Sequence, residues 1–365
     1  MSSFAVTAER LTILEHPNAD ALELAQVGGY RAVVAKGAYR TGDYAIYIPE
    51  QAIVPDALID ELGLTGRLAG KEKNRVRAVR LRGELSQGIV CRPSAIREWF
   101  GPGGVHDGDD LDTHERARTD FSGLLGITKW VPEIPAHMAG VMLEAPDLLR
   151  WVDIENIKRF PNIFAAGEPV QATEKLHGTC CLTTVTADGQ TLVTSKRCGG
   201  KGLAIAESDT NLYWRAVRAH SVAEVAGLIL KHFGADRVGV FGEVYGQGVQ
   251  DLGYGVNAGV TPGYAAFDIA VDRRQGHRWL DRAEFLEFAE ILPTVPVLFE
   301  GPYDEVLLLG LAEGRTAVGA GANIREGLVV RPQVERRSEV TCGRAIAKFV
   351  SEAYLLRKGA TTEFE

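Results

Sequence analysis

One short stretch, Glu174–Thr179 with the sequence EKLHGT, constrains this chain more than any other. Apolar, β-prone residues flank it, at Pro169–Thr173 before it and Cys180–Val185 after it. This pattern predicts a partly buried Lys175 at the junction of two strands. A buried ammonium loses hydration, so its pKa falls from about 10.4 toward neutrality, and a neutral amine is a nucleophile. Gly178 has no Cβ, so a ligand can approach the main chain there.

A solvated surface lysine is the competing interpretation, because most lysines beside a glutamate lie in water and take part in no chemistry. The hexapeptide alone does not decide between the two. The polar residues that follow it along the chain favour the nucleophile, as argued below.

Length and composition limit the classes of protein to which this chain can belong. A chain of 365 residues predicts two domains, because roughly 100–200 residues per domain is usual. The hydrophobic content of 45% and the charged content of 24% are typical of a globular protein. The net charge of -8 argues against a protein that coats nucleic acid nonspecifically, but it leaves room for a local basic groove.

The five cysteines are scattered and form no CxxC pair, so we expect neither a disulfide framework nor a zinc site. A reducing compartment fits this usage. The first residues show no basic region followed by an apolar run, and no apolar run approaches 18 residues. We therefore predict a cytoplasmic protein with no signal peptide and no membrane span.

Residues 4–50 read as short strands with glycine turns, which indicates a small barrel, and Asp56–Leu68 is predicted as a short helix with a connecting loop. The strings HPNADALELAQV and KGAYRTGDYAIYIP resemble the OB-fold barrels that bind tRNA and other nucleic acids. A basic run follows, in which we expect phosphate contacts; the alternative is a charged outer face of the barrel. The candidate nucleic-acid-binding residues are Lys71, Lys73, Arg75, Arg77, Arg80 and Arg82. A change of side-chain parity between Arg77 and Arg80 predicts a bulge near Ala78.

Glycine, proline and aspartate are dense in residues 99–112, which favours a linker. We predict an OB-fold module at residues 1–110, a linker at 111–125 and a catalytic domain at 126–365. In the last of these, strands and helices are mixed without a βαβ rhythm, which favours an α+β fold. Ser221–Glu224 and Asp281–Glu284 have the spacing of capping boxes that open helices.

Five pieces after Lys175 each place a polar residue at a strand end or in a turn, beside apolar β sequence. A lysine that attacks a nucleotide α-phosphate needs cations for the phosphates, carboxylates for a divalent metal and a ribose hydroxyl, and an aromatic platform for the base. These pieces supply all of them. They are Ser195–Arg197, Phe241–Gly246, Phe267–Ile269, Glu326–Arg331 and Ala347–Phe349.

The ordered set closely resembles the covalent nucleotidyltransferase superfamily of polynucleotide ligases and mRNA capping enzymes. EKLHGT is similar to its motif I, SKR to motif Ia, FGEVYG to motif III, FDI to motif IIIa and EGLVVRP to motif IV, and the region of Lys348 to motif V. EKLHGT together with EGLVVRP looks like the T4 RNA ligase 2 branch. With the N-terminal OB-like module, the whole chain is similar to the RNA ligase family typified by the Deinococcus enzyme. The resemblance implies an OB-fold barrel followed by an ATP-grasp-like nucleotidyltransferase domain of antiparallel sheets with flanking helices.

The resemblance also implies a role for each matching residue. Lys175 would carry AMP covalently, and Lys348 would contact the α-phosphate. His177 would act later, when AMP moves to the RNA end. Glu174 would read adenine or organise the pocket through backbone contacts, and Arg197 would contact the nucleotide and the 5′-phosphate strand. Glu243 would hydrogen-bond the ribose, and Phe267 would stack on the adenine. Arg331 is a further candidate cation for the phosphates; the alternative is that it only neutralises a surface carboxylate. Glu326 and Glu243 would bind Mn²⁺ or Mg²⁺.

Each of these residues also has a structural interpretation. Phe267 could be a core aromatic residue, and Glu243 and Glu326 could be acids at exposed strand ends. Motif V of this superfamily often carries two lysines separated by one residue, and the first place is Ile346 here. Arg344 or Lys358 could compensate for the missing lysine.

We therefore predict an ATP-dependent RNA ligase that seals nicks between a 3′-OH and a 5′-phosphate through lysyl-AMP and an adenylylated 5′ end. The expected partners are ATP and nicked duplex RNA or an RNA/DNA hybrid, and we expect a monomer that acts in RNA repair. The alternatives are a DNA ligase or a guanylyltransferase of the same superfamily, or a noncatalytic protein that binds RNA or tRNA.

Overall fold

The computed structural model describes residues 4–97, 119–131, 136, 138–273 and 276–357. Their contacts form two compact units. The first holds the described residues up to Trp130 together with Ile157–Pro161, and the second holds Val131–Asn156 and the described residues from Asn162 onward. These contacts extend the first unit past the predicted limit at residue 110. Most of the predicted linker lies outside the described residues, and the domain limits stay predictions.

The first unit is built mainly from short antiparallel strands. Two three-stranded sheets, ordered β1-β5-β9 and β2-β3-β4, are accompanied by the two-stranded pairs β6-β10 and β7-β8. The elements are β1 (Thr7–Arg10), β2 (Thr12–Glu15), β3 (Leu22–Val27), β4 (Tyr30–Ala35), β5 (Tyr44–Ile48), β6 (Ala52–Ile53), α1 (Asp56–Glu61), β7 (Val79–Leu81), β8 (Glu84–Ser86), β9 (Ile89–Cys91), a 3-10 turn (Ser94–Ile96) and β10 (Thr128–Lys129).

Apolar residues that alternate along these strands build the core of the first unit. Ile46 and Ile48 on β5 are fully buried, and Phe121 and Leu125 pack into the same cluster. The bulge predicted near Ala78 is wrong: the strand begins only at Val79, and the residues before it form isolated bridges or irregular chain.

Two five-stranded sheets form the second unit. Their strand orders are β12-β22-β21-β13-β20 and β15-β14-β17-β18-β19, and every pairing except β12 with β22 is antiparallel. The elements are β11 (Met142–Glu144), β12 (Glu155–Asn156), β13 (Pro169–Lys175), β14 (Thr179–Thr186), β15 (Thr191–Ser195), α2 (Lys196–Gly199), β16 (Leu203–Ile205), α3 (Leu212–Ala219), α4 (Val222–Phe233), β17 (Arg237–Tyr245), β18 (Gly263–Arg273), β19 (Gly276–Trp279), α5 (Arg282–Leu286), β20 (Val297–Pro302), α6 (Glu305–Ala312), a 3-10 turn (Gly319–Gly321), β21 (Gly327–Pro332), β22 (Ala347–Val350) and α7 (Glu352–Leu355).

The three-residue turn Leu176–Gly178 carries the chain from the first of these sheets to the second, because β13 belongs to one and β14 to the other. Helices α3 and α4 pack their apolar faces against the second sheet, where Val217 and Ile229 are buried in the largest apolar cluster. The residues that resemble motif I therefore lie where the two sheets meet.

The helix caps test the local predictions. Asp281 and Glu284 form the expected capping box at the start of α5, which ends at Leu286. Ser221 precedes α4 but makes no side-chain cap, because its backbone is left-handed, with a φ of 50°. The capping box predicted there is wrong. In the described residues, no helix has the length and apolar character to cross a membrane.

Candidate active site

Lys175 is the last residue of β13, and strand register places it beside Glu326. In the pairing of β13 with β21, Lys175 lies opposite Gly327, and Glu326 is the residue just before that strand. The Nζ atom of Lys175 contacts Oε1 of Glu326, which is fully buried, whereas the Lys175 side chain keeps 21% of its exposure. The lysine predicted as nucleophile is therefore half-buried beside a carboxylate, as the flanking strands indicated.

The glycine after this turn is required by close packing. A Cβ on Gly178 would lie 2.2 Å from the carbonyl oxygen of Val244 and 3.0 Å from Cγ of Glu243. Both partners belong to β17, which pairs with β14. Any larger residue at this position would push the turn away from the strand that carries Glu243.

Glu243 lies directly across from Cys180 in the pairing of β14 with β17, and it is buried. The Cys180 thiol donates to Oε2 of Glu243 over 3.3 Å. Burial, with the Glu243 carboxylate as the next cause, raises the pKa of the Cys180 thiol well above its ordinary value. The thiol therefore stays protonated and remains a donor to the carboxylate.

A β-bulge turns Phe267 toward the same space. In the pairing of β17 with β18, Phe241 lies opposite Asp268 and Gly242 lies opposite Ala266, so Phe267 is an extra residue. A bulge lets two successive side chains leave the regular alternation. Phe267 and Asp268 accordingly both line one cleft.

This cleft collects most of the candidate residues. Its empty volume is about 880 Å³, counting space open to solvent. The candidates that line it are Lys175, His177, Glu243, Phe267, Glu326 and Lys348. Lys348 reaches it from β22, opposite Val329 of β21.

A buried ionic cluster borders the cleft around Asp268. Arg331 donates to its Oδ1 over 2.9 Å and Arg344 donates to its Oδ2 over 2.6 Å. Arg344 also contacts Glu335 and lies 3.9 Å above the ring of Trp279. Burial would lower the pKa of Arg344, but the carboxylates of Asp268 and Glu335 outweigh it and raise the pKa above its ordinary value. A permanent cation therefore lines the cleft next to Ile346.

Carboxylate oxygens are the ligands that Mg²⁺ and Mn²⁺ prefer, and Glu243 and Glu326 present such oxygens to one cleft. The described residues contain no group of three or more histidine, cysteine, aspartate or glutamate side chains that could hold a metal. An ion held by these carboxylates would therefore take its other ligands from water and substrate phosphates.

The comparisons with known proteins match this architecture. A family model for RNA ligases matches residues 168–350, which is half of the chain. The chain belongs to the RNA ligase family. A model of an OB-fold domain matches residues 5–93 of this family member. A comparison with curated proteins gave no match.

Solved structures of a Naegleria gruberi RNA ligase resemble the whole chain. Its form with pyrophosphate is 23% identical, with a TM-score of 0.75 over 97% of this chain and 98% of that one. A mutant form with ATP and Mn is 23% identical, with a TM-score of 0.77 over 96% and 98%. The α+β fold with an N-terminal OB-fold module is therefore confirmed for this member of the RNA ligase family.

Three predicted nucleotide contacts of this RNA ligase family member lie away from the cleft lining. Glu174 is buried, and its Oε2 accepts from the backbone N–H of Ala317 over 2.7 Å. Arg331 is held on Asp268, and Arg197 lies in the short helix α2. Its neighbour Lys196 lines the cleft instead and pairs with Asp153 over 3.0 Å. These three roles stay predictions.

The predicted basic residues divide by exposure. Lys71, Lys73, Arg80 and Arg82 are exposed, whereas Arg75 and Arg77 are half-buried. Arg75 lies 4.3 Å from the ring of Trp130. The exposed four have the access to solvent that a phosphate contact needs.

Sequence reasoning missed several residues that line the cleft or hold its walls. The motifs gave a usable signal for three of them, because Lys196 and Asp268 adjoin the predicted residues Arg197 and Phe267, and Cys180 directly follows the EKLHGT motif. For the others, the sequence carries no spacing that points to the site. The missed residues of the cleft lining include Trp151, Cys180, Lys196, Asp268 and Trp279.

Proposed function

We propose that the chain is an ATP-dependent RNA ligase that seals a 3′-OH to a 5′-phosphate. The observation that carries the proposal is the contact between Lys175 and Glu326 inside a cleft that also presents Glu243, Phe267 and Lys348. A half-buried amine, an aromatic face, carboxylates and cations are the groups that adenylyl transfer needs. The Naegleria gruberi RNA ligase solved with ATP and Mn supports ATP and Mn²⁺ as the ligands.

In the first step, Nζ of Lys175 loses its proton and attacks the α-phosphorus of ATP. A P–N bond forms, the bond to the bridging oxygen breaks, and pyrophosphate leaves with that electron pair. Phe267 stacks on the base and Glu243 accepts from a ribose hydroxyl. Lys348, which lines the cleft, neutralises the α-phosphate, and Arg344, which lines it beside Ile346, adds positive charge.

In the second step, an oxygen of the RNA 5′-phosphate attacks the same phosphorus, and the P–N bond to Lys175 breaks. In the third, the 3′-OH attacks the 5′-phosphorus, AMP leaves and a phosphodiester forms. A divalent cation bound at Glu326 and Glu243 would supply charge neutralisation for the phosphates. His177 is assigned to these later steps, beside Lys175 and Glu326.

We further propose that the substrate is a nicked duplex, either RNA or an RNA/DNA hybrid, and that the OB-fold module holds it through the exposed basic residues. On this account the protein repairs RNA as a monomer in the cytoplasm. The predicted domain limits are part of this proposal: an RNA-binding module before residue 110 and a catalytic domain after residue 125.

Sealing assays test the proposal directly. Nicked duplexes that differ only in the sugar at the 3′-OH end, ribose or deoxyribose, are incubated with the protein, ATP and Mn²⁺ or Mg²⁺. An RNA ligase seals the ribose end faster. Equal or faster sealing of the deoxyribose end contradicts the RNA assignment and favours a DNA ligase. No sealing of either, with no covalent nucleotide, favours the noncatalytic alternative.

A further inference from the structure

The His177 imidazole, two residues after the nucleophile, is held on both ring nitrogens although only 1% of its side chain is exposed. Its Nε2 lies 2.5 Å from Oδ1 of Asp251. Its Nδ1 lies 2.8 Å from the hydroxyl of Tyr354 and 3.7 Å from Oε2 of Glu326. An ionised carboxylate only accepts, so Nε2 carries the proton that is donated to Asp251. The ring is therefore fixed in orientation and in the proton it bears at Nε2.

Asp251 remains ionised at this position. Burial alone would raise its pKa, but the hydrogen bonds from His177 and Arg357 outweigh that effect and hold the pKa well below the ordinary value. The residue comes from the loop between β17 and β18. Sequence spacing carries no sign of this contact, because 74 residues separate it from His177.

Arg357 clamps the carboxylate from the other side. Its Nε donates to Oδ2 of Asp251 over 2.8 Å and its Nη2 donates to Oδ1 over 3.1 Å, which is a bidentate pair. Its Nη1 donates to the carbonyl of Tyr354 over 2.7 Å, and the guanidinium carbon lies 3.6 Å from the centre of that ring. One arginine thus joins the two residues that hold the imidazole.

The same loop also holds the backbone of the turn. The hydroxyl of Tyr254 accepts from the His177 N–H over 2.7 Å, and Nε2 of Gln250 donates to the Gly178 carbonyl over 2.6 Å. Asp251, Tyr354 and Arg357 are not among the residues that line the cleft in the described part of the chain. His177 does line the cleft, so it is the contact through which this group reaches it.

We infer that Asp251 and Arg357 are positioning residues that hold the His177 imidazole beside the Lys175–Glu326 pair, and that they serve the transfer of AMP to RNA and the sealing step more than the adenylylation of Lys175. This inference rests on the proposed function, because it assumes that His177 acts after lysyl-AMP has formed. A displacement of about 1 Å in a reacting group costs about a hundredfold in rate, so loosening the clamp has a measurable effect.

The test separates the steps by single-turnover kinetics. Asp251→Asn removes the charge at constant shape, and Arg357→Lys removes the bidentate geometry. Two rates are measured: label transfer from ATP to Lys175, and sealing of a 5′-phosphate nick by protein whose Lys175 already carries AMP, which includes the transfer of AMP to RNA. We expect the sealing rate to fall about 10- to 100-fold and at least ten times more than the labelling rate. The KM for the 5′-phosphate nick should change little.

Two controls make the result specific. Arg336→Lys loosens a matched bidentate pair with Glu168 in the same unit, at 2.6 and 2.7 Å, and should alter neither rate by more than about twofold. In a His177→Ala background, Asp251→Asn should lower the sealing rate by less than about a further twofold, because the imidazole that Asp251 positions is gone.

Equal losses in both steps, or full additivity with His177→Ala, would assign the clamp to general stability and overturn the inference. Unchanged sealing in Asp251→Asn or in His177→Ala would overturn it as well. If Asp251→Asn does not fold, Arg357→Lys decides by the same criteria. A wild-type protein that never forms a covalent adenylate would instead refute the proposed function itself, and the inference with it.

Discussion

Nζ of Lys175 contacts Oε1 of Glu326 although the two residues are 151 positions apart in the chain. Antiparallel pairing of β13 with β21 brings them together, because Lys175 lies opposite the glycine that follows Glu326. The proposed nucleophile and the carboxylate beside it are therefore held by sheet register, which is among the most rigid relationships a fold provides.

Replacing the Glu326 carboxylate by an amide should lower activity without lowering stability. We expect Glu326→Gln to lower the rate of Lys175 adenylylation about a hundredfold or more, because the amide no longer attracts the amine or a cation. Its melting temperature should not fall, since a buried amide costs less than a buried charge and Lys175 still reaches water. Label transfer and thermal unfolding are measured together. The exposed Glu339→Gln serves as control, and near wild-type labelling of Glu326→Gln would contradict the assignment.

Phe267 should contribute to nucleotide binding through its face. Stacking on a base is worth about 1–3 kcal/mol, so Phe267→Ala should raise the KM for ATP by roughly 5- to 150-fold. Phe267→Trp should restore most of the affinity. The half-buried Phe299 on β20 is a matched control, and Phe299→Ala should leave the KM within about twofold. An unchanged KM for ATP in Phe267→Ala would show that Phe267 is only a core aromatic residue.

The exposed arginines of the OB-fold module should contribute salt-dependent affinity. Each phosphate contact adds about 0.9 to the slope of log K against log salt on a duplex. The double variant Arg80→Ala with Arg82→Ala should therefore lower the slope for nicked RNA by about 2, as measured by fluorescence anisotropy. Arg10→Ala with Arg40→Ala removes two exposed arginines of the same unit and should leave the slope unchanged. Identical slopes for both double variants would show that these arginines are only a solvated face.

The lowered pKa of Asp251 predicts that stability depends on pH. Its pKa is lower in the folded state than the unfolded value of about 3.9, so its contribution is fully present above that value and is lost as pH falls below it. The difference in unfolding free energy between wild type and Asp251→Asn should be constant above about pH 5 and shrink below about pH 4. Urea unfolding across this range measures it. A difference that grows on acidification has the wrong sign for this account.

Much of the fold and the site could be predicted from the sequence where short motifs coincide with regular structure. The alternation around Lys175 and the glycine beside Glu326 placed both residues at strand ends, where the structure has them. The cleft position of Lys348 next to Ile346, with Arg344 nearby, also followed from the motif.

The remainder depends on tertiary structure that local patterns do not encode. Phe267 and Asp268 both face the cleft only because a bulge breaks the alternation of β18. Asp251 and Arg357 lie in a loop and near the end of the described chain, and only folding brings them to His177. Arg331 carries the right charge at the right spacing, yet a buried partner holds it outside the cleft lining. Spacing alone does not reveal which arginine stays available to contact a ligand in the cleft.

The most direct measurement is the mapping of label from ATP labelled at the α-phosphate. The protein is incubated with it and a divalent metal, denatured, digested and analysed by mass spectrometry, with Lys175→Ala and the exposed-lysine variant Lys201→Ala in parallel. The account predicts an adenylyl group on Lys175 in the wild type and in Lys201→Ala, and none in Lys175→Ala. Label that survives in Lys175→Ala, or a wild type that takes up none, would contradict it.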